Sequence, residues 1–226
     1  MKKTNAELDK FVYSVSHDLR APLSSMLGVV EITEEETQDS LVLEHLAMLK
    51  GSISRLDGFI QDILEYSRNA RLEVQKETID FKTMIKDVTG NLKYMSGNKR
   101  KVEIRTDIND RSNFLSDKNR LSIVLNNLIS NAIRYQNPKA EHPYVDVKVD
   151  MSDTETHITV RDNGIGISRE LHEKIFDMFF RVSENSIGSG LGLYIVKETI
   201  EKLHGRIEVD SEPLLGTAFN IYLPNN

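Results

Sequence analysis

The stretch YSVSHDLRAPL, residues 13–23, sets an imidazole beside a carboxylate at His17 and Asp18, shortly before Pro22. Neutral imidazole is nucleophilic, and a carboxylate that holds one ring nitrogen leaves the other free to attack. Proline inside a helix removes a backbone hydrogen bond and bends the chain. The stretch therefore predicts an exposed nucleophile on a helix that bends just after it. A single histidine on a helix is more often a solvated surface residue, so other motifs must support this interpretation.

Two asparagines form a second candidate site in NNLISNAIRY, residues 126–135. Asn127 and Asn131 are four residues apart, so their amides share one face of a helix. Their neighbours are apolar, which puts both amides at the edge of a core. Amides of this kind also cap loops or bond to each other, and without further motifs that structural role is favoured.

In VRDNGIGIS, residues 160–168, Asp162 ends a predicted strand and precedes Gly164 and Gly166. Glycines let a backbone approach a ligand closely, and a carboxylate at a strand end can accept a hydrogen bond from an amino group. A plain Asn-Gly turn is the alternative, although the flanking residues do not alternate as in a tight hairpin.

A third glycine-rich stretch, IGSGLGLYIVKETI at 187–200, has Gly188, Gly190 and Gly192 ahead of a helix. Backbone N–H groups at a helix N-terminus can cradle phosphate. A glycine triplet by itself is a weak signal, because it is also typical of a flexible loop.

The first third of the chain predicts two helices that form a hairpin. Apolar residues recur in steps of four and three, typical of a heptad seam. The seam positions are Leu8, Val12, Val15, Leu19, Pro22, Met26 and Val29, then Val42, Leu46, Leu49, Ile53, Leu56, Ile60 and Ile63. A polar turn at 34–40 separates the helices, with Asp39 or Ser40 as the helix cap. A two-helix hairpin buries little alone, so we expect a homodimeric four-helix bundle, with an intramolecular coiled-coil spacer as the alternative. At 100° per residue, His17 lies about 200° from Val15 and Leu19 and points away from the seam.

After about residue 70 the pattern changes to alternating strands and helices. We predict helices at 79–92, 116–136 (capped by Ser116) and 190–203 (stopped by Gly205), and strands at 101–108, 144–151, 157–164, 206–211 and 217–224. The predicted fold class is α+β: the hairpin of residues 1–70, then a two-layer α/β sandwich at 75–226 with a mixed sheet and helices on one face.

Composition excludes several classes of protein. The 226 residues include no Cys, which rules out disulfides and thiolate metal sites and suits a reducing cytoplasm. A formal charge of −6 argues against general nucleic-acid binding, and the basic run NKRK at 98–101 is interpreted as a solvated loop. No apolar run reaches membrane-spanning length. We expect membrane attachment, where there is any, only through an N-terminal region that this chain lacks.

Taken together and in this order, the motifs closely resemble those of the sensor histidine kinases. The stretches at 126–135, 160–168 and 187–200 resemble the N, G1 and G2 boxes, and IFDMFFR at 175–181 resembles the F box. FVYSVSHDLRAPL resembles the H box of the HisKA type, and GTAFNIYLP resembles the closing strand. The resemblance runs from about residue 5 to 224. It implies a dimerisation and phosphotransfer hairpin followed by an ATP-binding domain of the Bergerat type.

The resemblance also implies roles for individual residues. His17 would be the phosphoacceptor and Asp18 the base that orients it and takes its proton. Asn131, assisted by Asn127, would bind Mg²⁺, and Asp162 would read the amino group of adenine in ATP. The other residues implied at the nucleotide site are Arg134, Tyr135, Gly164, Gly166, Gly188, Gly190, Leu191 and Gly192, with a lid at about 168–187.

The implied activity is ATP-dependent autophosphorylation of His17, followed by transfer to an aspartate in the receiver domain of a response regulator. Where the family commonly has Thr or Asn, Ala21 predicts weak phosphatase activity. An ATP hydrolase related to gyrase is the first alternative, but the position of its water-activating glutamate holds Asn127, which cannot act as a base. A non-catalytic dimeric scaffold is the second, and the intact His17 and glycine boxes oppose it. The stimulus, the partner regulator and transfer within or between protomers are not encoded in these motifs.

Overall fold

The computed structural model describes residues 2–92, 102–109, 112–182 and 188–225, and all their side chains except those of residues 2–13, 68, 70 and 91. The predicted loop at 98–101 and the end of the predicted lid at 183–187 lie outside the described residues. The chain forms two compact units. One comprises Met1–Leu72 with Ser183–Gly192, and the other comprises Glu73–Val182 with Leu193–Asn226.

The first unit is built on a hairpin of α1 (Lys2–Glu36) and α2 (Ser40–Arg71). Asp39 caps α2, because its Oδ1 accepts hydrogen bonds from the backbone N–H of Leu41 at 2.9 Å and of Val42 at 3.4 Å. This confirms one of the two predicted caps. Helix α1 continues through Pro22, and the bend that we predict there stays a prediction.

The core of the hairpin differs from the predicted seam on α1. Buried apolar side chains from both helices form it, namely Leu23, Val30, Leu46, Ile53, Ile60 and Leu64. The seam residues Val15, Leu19, Met26 and Val29 are instead 37–65% exposed in the single chain. A heptad pattern identifies an apolar stripe but not its partner, and α1 turns an adjacent stripe towards α2.

The second unit holds the strands and the remaining helices. In chain order these are β1 (Glu77–Thr78), α3 (Phe81–Leu92), β2 (Glu103–Asn109), β3 (Leu115–Ser116), α4 (Lys118–Arg134), β4 (Tyr144–Met151), β5 (Glu155–Asp162), α5 (Gly192–Lys202, whose first residue falls in the hairpin's unit), β6 (Arg206–Glu212) and β7 (Gly216–Pro224). Five strands form one sheet in the order β2-β4-β5-β7-β6. Only the β2–β4 pair in this sheet is parallel, so the predicted mixed sheet is confirmed. Strands β1 and β3 form a separate antiparallel ladder.

The sheet is apolar on one face, which packs against the helices. Along β4, Val145, Val147 and Val149 are buried, whereas the residues between them face outward. Leu121 and Leu125 of α4 are fully buried against this side. Period-two burial in the strands and a helix covering one face confirm the predicted α+β class. Within the described parts of the chain, no helix has the length and hydropathy that a membrane crossing needs.

Two predicted helix ends are wrong in detail. Asp117, not Ser116, caps α4, because its Oδ1 accepts from the Arg120 N–H at 3.0 Å. After α5, His204 rather than Gly205 takes the left-handed conformation, with φ 61°. Gly205 is needed for space instead, since a Cβ there would lie 2.4 Å from the Tyr222 carbonyl oxygen.

Candidate functional site

His17 lies on the exposed flank of α1. Its side chain is 74% exposed, and its Nδ1 lies 3.5 Å from Oδ1 of Asp18, which is 75% exposed. Ser16, the residue before it, is buried. Since the carboxylate lies on the Nδ1 side of the ring, Nε2 is the nitrogen presented to an incoming electrophile. The flank can therefore present a nucleophile to a partner outside the helix pair.

Arg20 joins the two helices one turn after His17. Its Nε donates to Oδ1 of Asp57 at 2.9 Å, and its Nη2 donates to Oε1 of Gln61 at 3.0 Å. Both acceptors lie on one face of α2, four residues apart. Sequence reasoning missed this contact, although an Asp/Gln pair with helical spacing was the available signal. This partly exposed network links α1 to α2 near the histidine.

The two asparagines of α4 are half-buried and do not bond to each other. Asn127 donates from Nδ2 to the carbonyl of Ile123 at 2.9 Å, which leaves its amide oxygen as an acceptor. The Asn131 amide makes no hydrogen bond to any residue that the structure describes. Leu128 and Ile129 are buried in the core, so the helix turns these neighbours of the two amides away from solvent. Two amide oxygens therefore lie on one side of α4.

Tyr135 ends α4 and links it to the loop after β5. The Tyr135 carbonyl accepts a hydrogen bond from the backbone N–H of Ile165 at 3.0 Å. A Cβ at Gly164 would lie 2.4 Å from this same carbonyl oxygen, so the approach requires glycine. The side chains of Arg134 and Tyr135 are exposed at this end of the helix. The structure thus brings Tyr135, at the end of α4, and the 162–166 loop together.

Asp162 is the half-buried acid at the start of this loop. Its Oδ1 accepts from the backbone N–H groups of Gly164 at 2.7 Å and Thr217 at 3.3 Å. Burial raises the pKa of Asp162, and these two hydrogen bonds only partly oppose the rise. A fixed carboxylate in a half-buried loop is suited to accept a hydrogen bond from an amino group of a ligand.

The loop packs directly on the turn between β6 and β7. Gly166 has φ +68°, and a Cβ there would lie 1.9 Å from the Glu212 carbonyl oxygen. Gly216 has φ +96°, and a Cβ there would lie 2.0 Å from the carbonyl oxygen of Asp162. Only glycine fits either position without rearrangement. Sequence reasoning missed Gly216, although it begins the closing strand that the resemblance covers.

Residues 188–192 belong to the unit of the hairpin rather than to the unit of the sheet. Gly188 and Gly190 have positive φ angles of 129° and 76°. The Ser189 hydroxyl donates to the carboxylate of Asp62 on α2 and accepts from the Leu191 N–H at 3.0 Å. The contact with Asp62 was not predicted. Gly188, Gly190, Leu191 and Gly192 thus lie in the hairpin's unit, and their role at the phosphates stays a prediction.

The side chains of α4 fit one kind of metal. Among the residues that the structure describes, no cluster of three or more His, Cys, Asp or Glu could hold an ion. A Zn²⁺ site needs several His, Cys, Asp or Glu ligands. Mg²⁺ is usually bound by one or two protein oxygens together with several waters and substrate phosphates. The amide oxygens of Asn131 and Asn127 fit Mg²⁺ that arrives with a phosphorylated ligand.

Two family descriptions match the chain in succession. His Kinase A (phospho-acceptor) domain matches residues 7–71. Histidine kinase-, DNA gyrase B-, and HSP90-like ATPase matches residues 116–226. The first contains the exposed His17, and the second contains α4, the 162–166 loop and the closing strands.

Curated relatives match along almost the whole chain. The methanogenesis regulatory histidine kinase FilI of Methanothrix harundinacea (strain 6Ac) is 34% identical over 97% of this chain and 25% of its own length. Cyanobacterial phytochrome A of Nostoc sp. (strain PCC 7120 / SAG 25.82 / UTEX 2576) is 30% identical over 99% of this chain and 29% of its own. A sensor protein kinase WalK of Staphylococcus aureus is 34% identical over 99% and 55%. The chain thus spans about a quarter to about half the length of these relatives.

Solved structures share the fold. ShkA full-length in complex with AMPPNP has a TM-score of 0.71 at 23% identity, covering 95% of this chain and 45% of that one. Histidine kinase AdeS of Acinetobacter baumannii has a TM-score of 0.64 at 23% identity, covering 93% and 98%. With two successive family matches and relatives along its whole length, the chain belongs to the sensor histidine kinases.

Proposed function

We propose that this chain is the autophosphorylating core of a sensor histidine kinase, which moves the γ-phosphoryl group of ATP to His17 and then to an aspartate of a response regulator. The observation that carries the proposal is the exposed imidazole of His17 with the Asp18 carboxylate beside its Nδ1. This neighbour can hold one ring nitrogen and leave Nε2 free to attack.

The γ-phosphoryl group passes directly from ATP to His17. Nε2 attacks the γ-phosphorus, an N–P bond forms, and the bond from that phosphorus to the β–γ bridging oxygen breaks as ADP leaves. Asp18 takes the proton from Nδ1, 3.5 Å away, which keeps the ring from accumulating charge. Phosphoryl transfer depends mainly on such positioning and on charge neutralisation.

The nucleotide would be held by the residues around α4 and the 162–166 loop. The Asp162 carboxylate accepts a hydrogen bond from the adenine amino group, and Gly164 and Gly166 let the backbone approach the purine. Asn131 and Asn127 would hold Mg²⁺ through their amide oxygens, and the bound ion would supply neutralisation of the phosphate charge. The other residues assigned to the nucleotide are Arg134 and Tyr135, beside it, and Gly188, Gly190, Leu191 and Gly192, at its phosphates.

We also propose that the hairpin dimerises. The apolar side chains of Leu19, Met26 and Val29 on α1 and of Leu49 and Leu56 on α2 are each at least 50% exposed in the single chain. Burying a side chain of this type is favourable by roughly 1.5–3 kcal/mol, so a second hairpin is the natural cover. A cytoplasmic location accords with the need for ATP and with the receiver domain as partner.

The rival ATP hydrolase needs a carboxylate to activate water near the metal. In this chain the position of that carboxylate is occupied by Asn127. The Asn127 Nδ2 donates a hydrogen bond to the Ile123 carbonyl at 2.9 Å. An amide cannot take a proton from water at neutral pH, so this site favours transfer to an acceptor of the protein itself.

The test is incubation with Mg²⁺ and ATP labelled at the γ-phosphate. We expect an acid-labile, base-stable phosphoprotein that His17→Gln abolishes while nucleotide binding, measured by calorimetry, is retained. His45→Gln, an exposed histidine on α2, is the matched control and should be labelled normally. Label that survives His17→Gln would show that the acceptor is elsewhere, and an unlabelled wild-type chain that binds ATP would favour the scaffold.

A further inference from the structure

The chain that leaves α2 is fastened to the start of α4. We call residues 73–79 the connector, since they follow directly on Leu72, the last residue of the first block of the hairpin's unit. Glu77 and Thr78 pair with Ser116 and Leu115 in the β1–β3 ladder. The N–H of Ile79 donates to the Phe114 carbonyl at 2.9 Å. The connector is therefore hydrogen-bonded to residues 114–116 and is not a free linker.

A buried ion pair fastens the beginning of the connector. Asp117 and Arg120 are 3% and 5% exposed and form a salt bridge through Oδ2 and Nη1. Oδ2 of Asp117 also accepts from the Gln75 N–H at 3.0 Å, and Nη1 of Arg120 also donates to the Glu73 carbonyl at 3.3 Å. Each side chain of the pair thus holds one backbone group of the connector.

Helix capping does not account for this arrangement. A cap needs only one acceptor, and Ser, Thr or Asn would supply it about as well as Asp. A buried ion pair is not in general more stabilising than apolar residues of the same volume, because its desolvation is costly. The pair instead fixes a position, since it joins two backbone segments, the connector and the start of α4.

The charged state of Asp117 depends on these same contacts. Burial by itself would raise the pKa of Asp117, but hydrogen bonds from Gln75 and Arg120 and the charge of Arg120 bring it below its ordinary value. Lys202, at the end of α5, lies close enough that its pKa is lowered, first by burial and then by the charge of Arg120. The Asp117 carboxylate therefore stays ionised at neutral pH and keeps its hydrogen bond from the Gln75 N–H.

We propose that Asp117 and Arg120 are positioning residues for phosphoryl transfer, because they fasten the connector to α4, the helix that carries Asn127 and Asn131. This rests on the function proposed above. One residue separates the connector from the end of α2, so the pair holds the chain that leaves the helices of His17 at the start of the helix that carries Asn127 and Asn131. Loosening it should slow transfer to His17 without weakening ATP binding.

Asp117→Asn is the sharpest variant. The amide oxygen of Asn can still cap α4 by accepting from the Arg120 N–H, but its Nδ2 cannot accept from Gln75 or from the guanidinium. Asp80→Asn is the matched control. Asp80 caps α3, where its carboxylate accepts from the N–H of Thr83 at 3.0 Å and from its hydroxyl at 2.7 Å. Both substitutions remove one negative charge from a helix cap in the same unit, but only the first touches the connector.

A second variant guards against misfolding of α4. Gln75→Pro removes the N–H that donates to Asp117 and leaves the Asp117–Arg120 ion pair intact. Hydrogen exchange at the amide of Ile79 reports directly whether the connector has come loose. It should be faster in both connector variants than in wild type and unchanged in Asp80→Asn.

The decisive measurement is autophosphorylation with kcat and KM for ATP determined separately. We expect kcat to fall at least about tenfold in Asp117→Asn and in Gln75→Pro, because small losses of alignment are costly in rate, while KM stays within about twofold. KM rising in step with the fall in kcat would mean a merely structural role for the pair. A kcat equal to that of Asp80→Asn would overturn the proposal while leaving the kinase assignment intact, whereas an unlabelled wild type would overturn both.

Discussion

Oδ1 of Asp162 lies 2.7 Å from the backbone nitrogen of Gly164, while Oδ2 has no hydrogen-bond partner among the residues that the structure describes. One oxygen therefore fixes the carboxylate to its own loop, and the other is left to a ligand. An acceptor in a half-buried loop is unfavourable without a donor, so binding an amino group there relieves a cost that the empty protein carries.

Replacing Asp162 by Asn should separate binding from stability. The Asn oxygen can still accept from Gly164, but an amide facing the adenine amino group gives up the charge-assisted hydrogen bond. We expect the preference for ATP over GTP to shrink by roughly 1–3 kcal/mol, as for loss of one paired polar contact. Competition of the two nucleotides for binding measures it, and Asp210→Asn, exposed on β6, should leave it unchanged.

The same substitution should alter the pH dependence of the nucleotide-free protein. Burial raises the pKa of Asp162 in the folded state above its ordinary value of 3.8. Protonation of Asp162 therefore stabilises the folded state, and this stabilisation is fully present below pH 3.8. The contribution is lost as the pH rises through the raised pKa. Urea denaturation at a series of pH values should thus show Asp162→Asn more stable than wild type at neutral pH, and equal stabilities there would contradict the assignment of a buried charge.

Asn131→Ala should remove the Mg²⁺ dependence of nucleotide binding. The affinity for MgATP should fall by roughly 1–3 kcal/mol, or about 5- to 150-fold in Kd, because a paired polar contact is lost. Asn126→Ala, on the neighbouring exposed position of α4, is the control and should bind normally. Calorimetry with and without Mg²⁺ measures the affinity for ATP in each variant. An unchanged affinity for MgATP in Asn131→Ala would mean that this residue does not bind the metal.

Gly216→Ala should disturb the nucleotide loop from outside it. The new Cβ would lie 2.0 Å from the Asp162 carbonyl oxygen at a φ of +96°, so the loop must move. We expect a lower melting temperature and weaker ATP binding together. Gly58→Ala, on an exposed face of α2 with nothing within 4 Å of the new methyl group, should instead stabilise the protein by roughly 0.5–1 kcal/mol. Normal ATP binding by Gly216→Ala would mean that the loop tolerates the displacement.

The sequence predicts elements better than it predicts partners. Period-two alternation is strong in β4, and the predicted strand at 144–151 agrees with the structure to the residue. The heptad on α1 is as regular, yet it does not show whether an apolar stripe meets α2 or a second copy. That choice depends on how each helix is turned about its axis, and Leu23 and Val30 rather than Leu19 and Met26 are buried in the single chain.

Contacts between residues far apart in the chain could not be predicted, because local sequence patterns do not identify the partner. Arg120 reads as one more charge on a predicted helix, and nothing in its neighbourhood indicates that it meets Glu73, 47 residues earlier in the chain. The glycines of the 162–166 loop were predicted because their motif is local. The close approach of Gly216 to Asp162 depends instead on the pairing of β5 with β7, which is distant in sequence.

Ala21 is exposed on α1 one turn after His17. The resemblance implies a Thr or Asn that holds a water at this position, whereas Ala21 has a methyl group that cannot hydrogen-bond. The hydroxyl of Ser25, one turn further along, does not replace it, since it donates to the Ala21 carbonyl at 3.1 Å. We therefore expect normal autophosphorylation with weak dephosphorylation of the partner regulator.

Ala21→Thr should raise the dephosphorylation rate, with a helix-propensity cost of at most about 0.7 kcal/mol. Ala21→Val is the matched control, because valine has the shape of threonine without its hydroxyl and should leave the rate low. The measurement is decay of the phosphorylated regulator with ADP present and with wild-type, Thr, Val or no kinase. If the Val variant accelerates decay as much as the Thr variant, bulk rather than the hydroxyl is responsible. If wild type is already fast and Thr adds nothing, the water is positioned by another group.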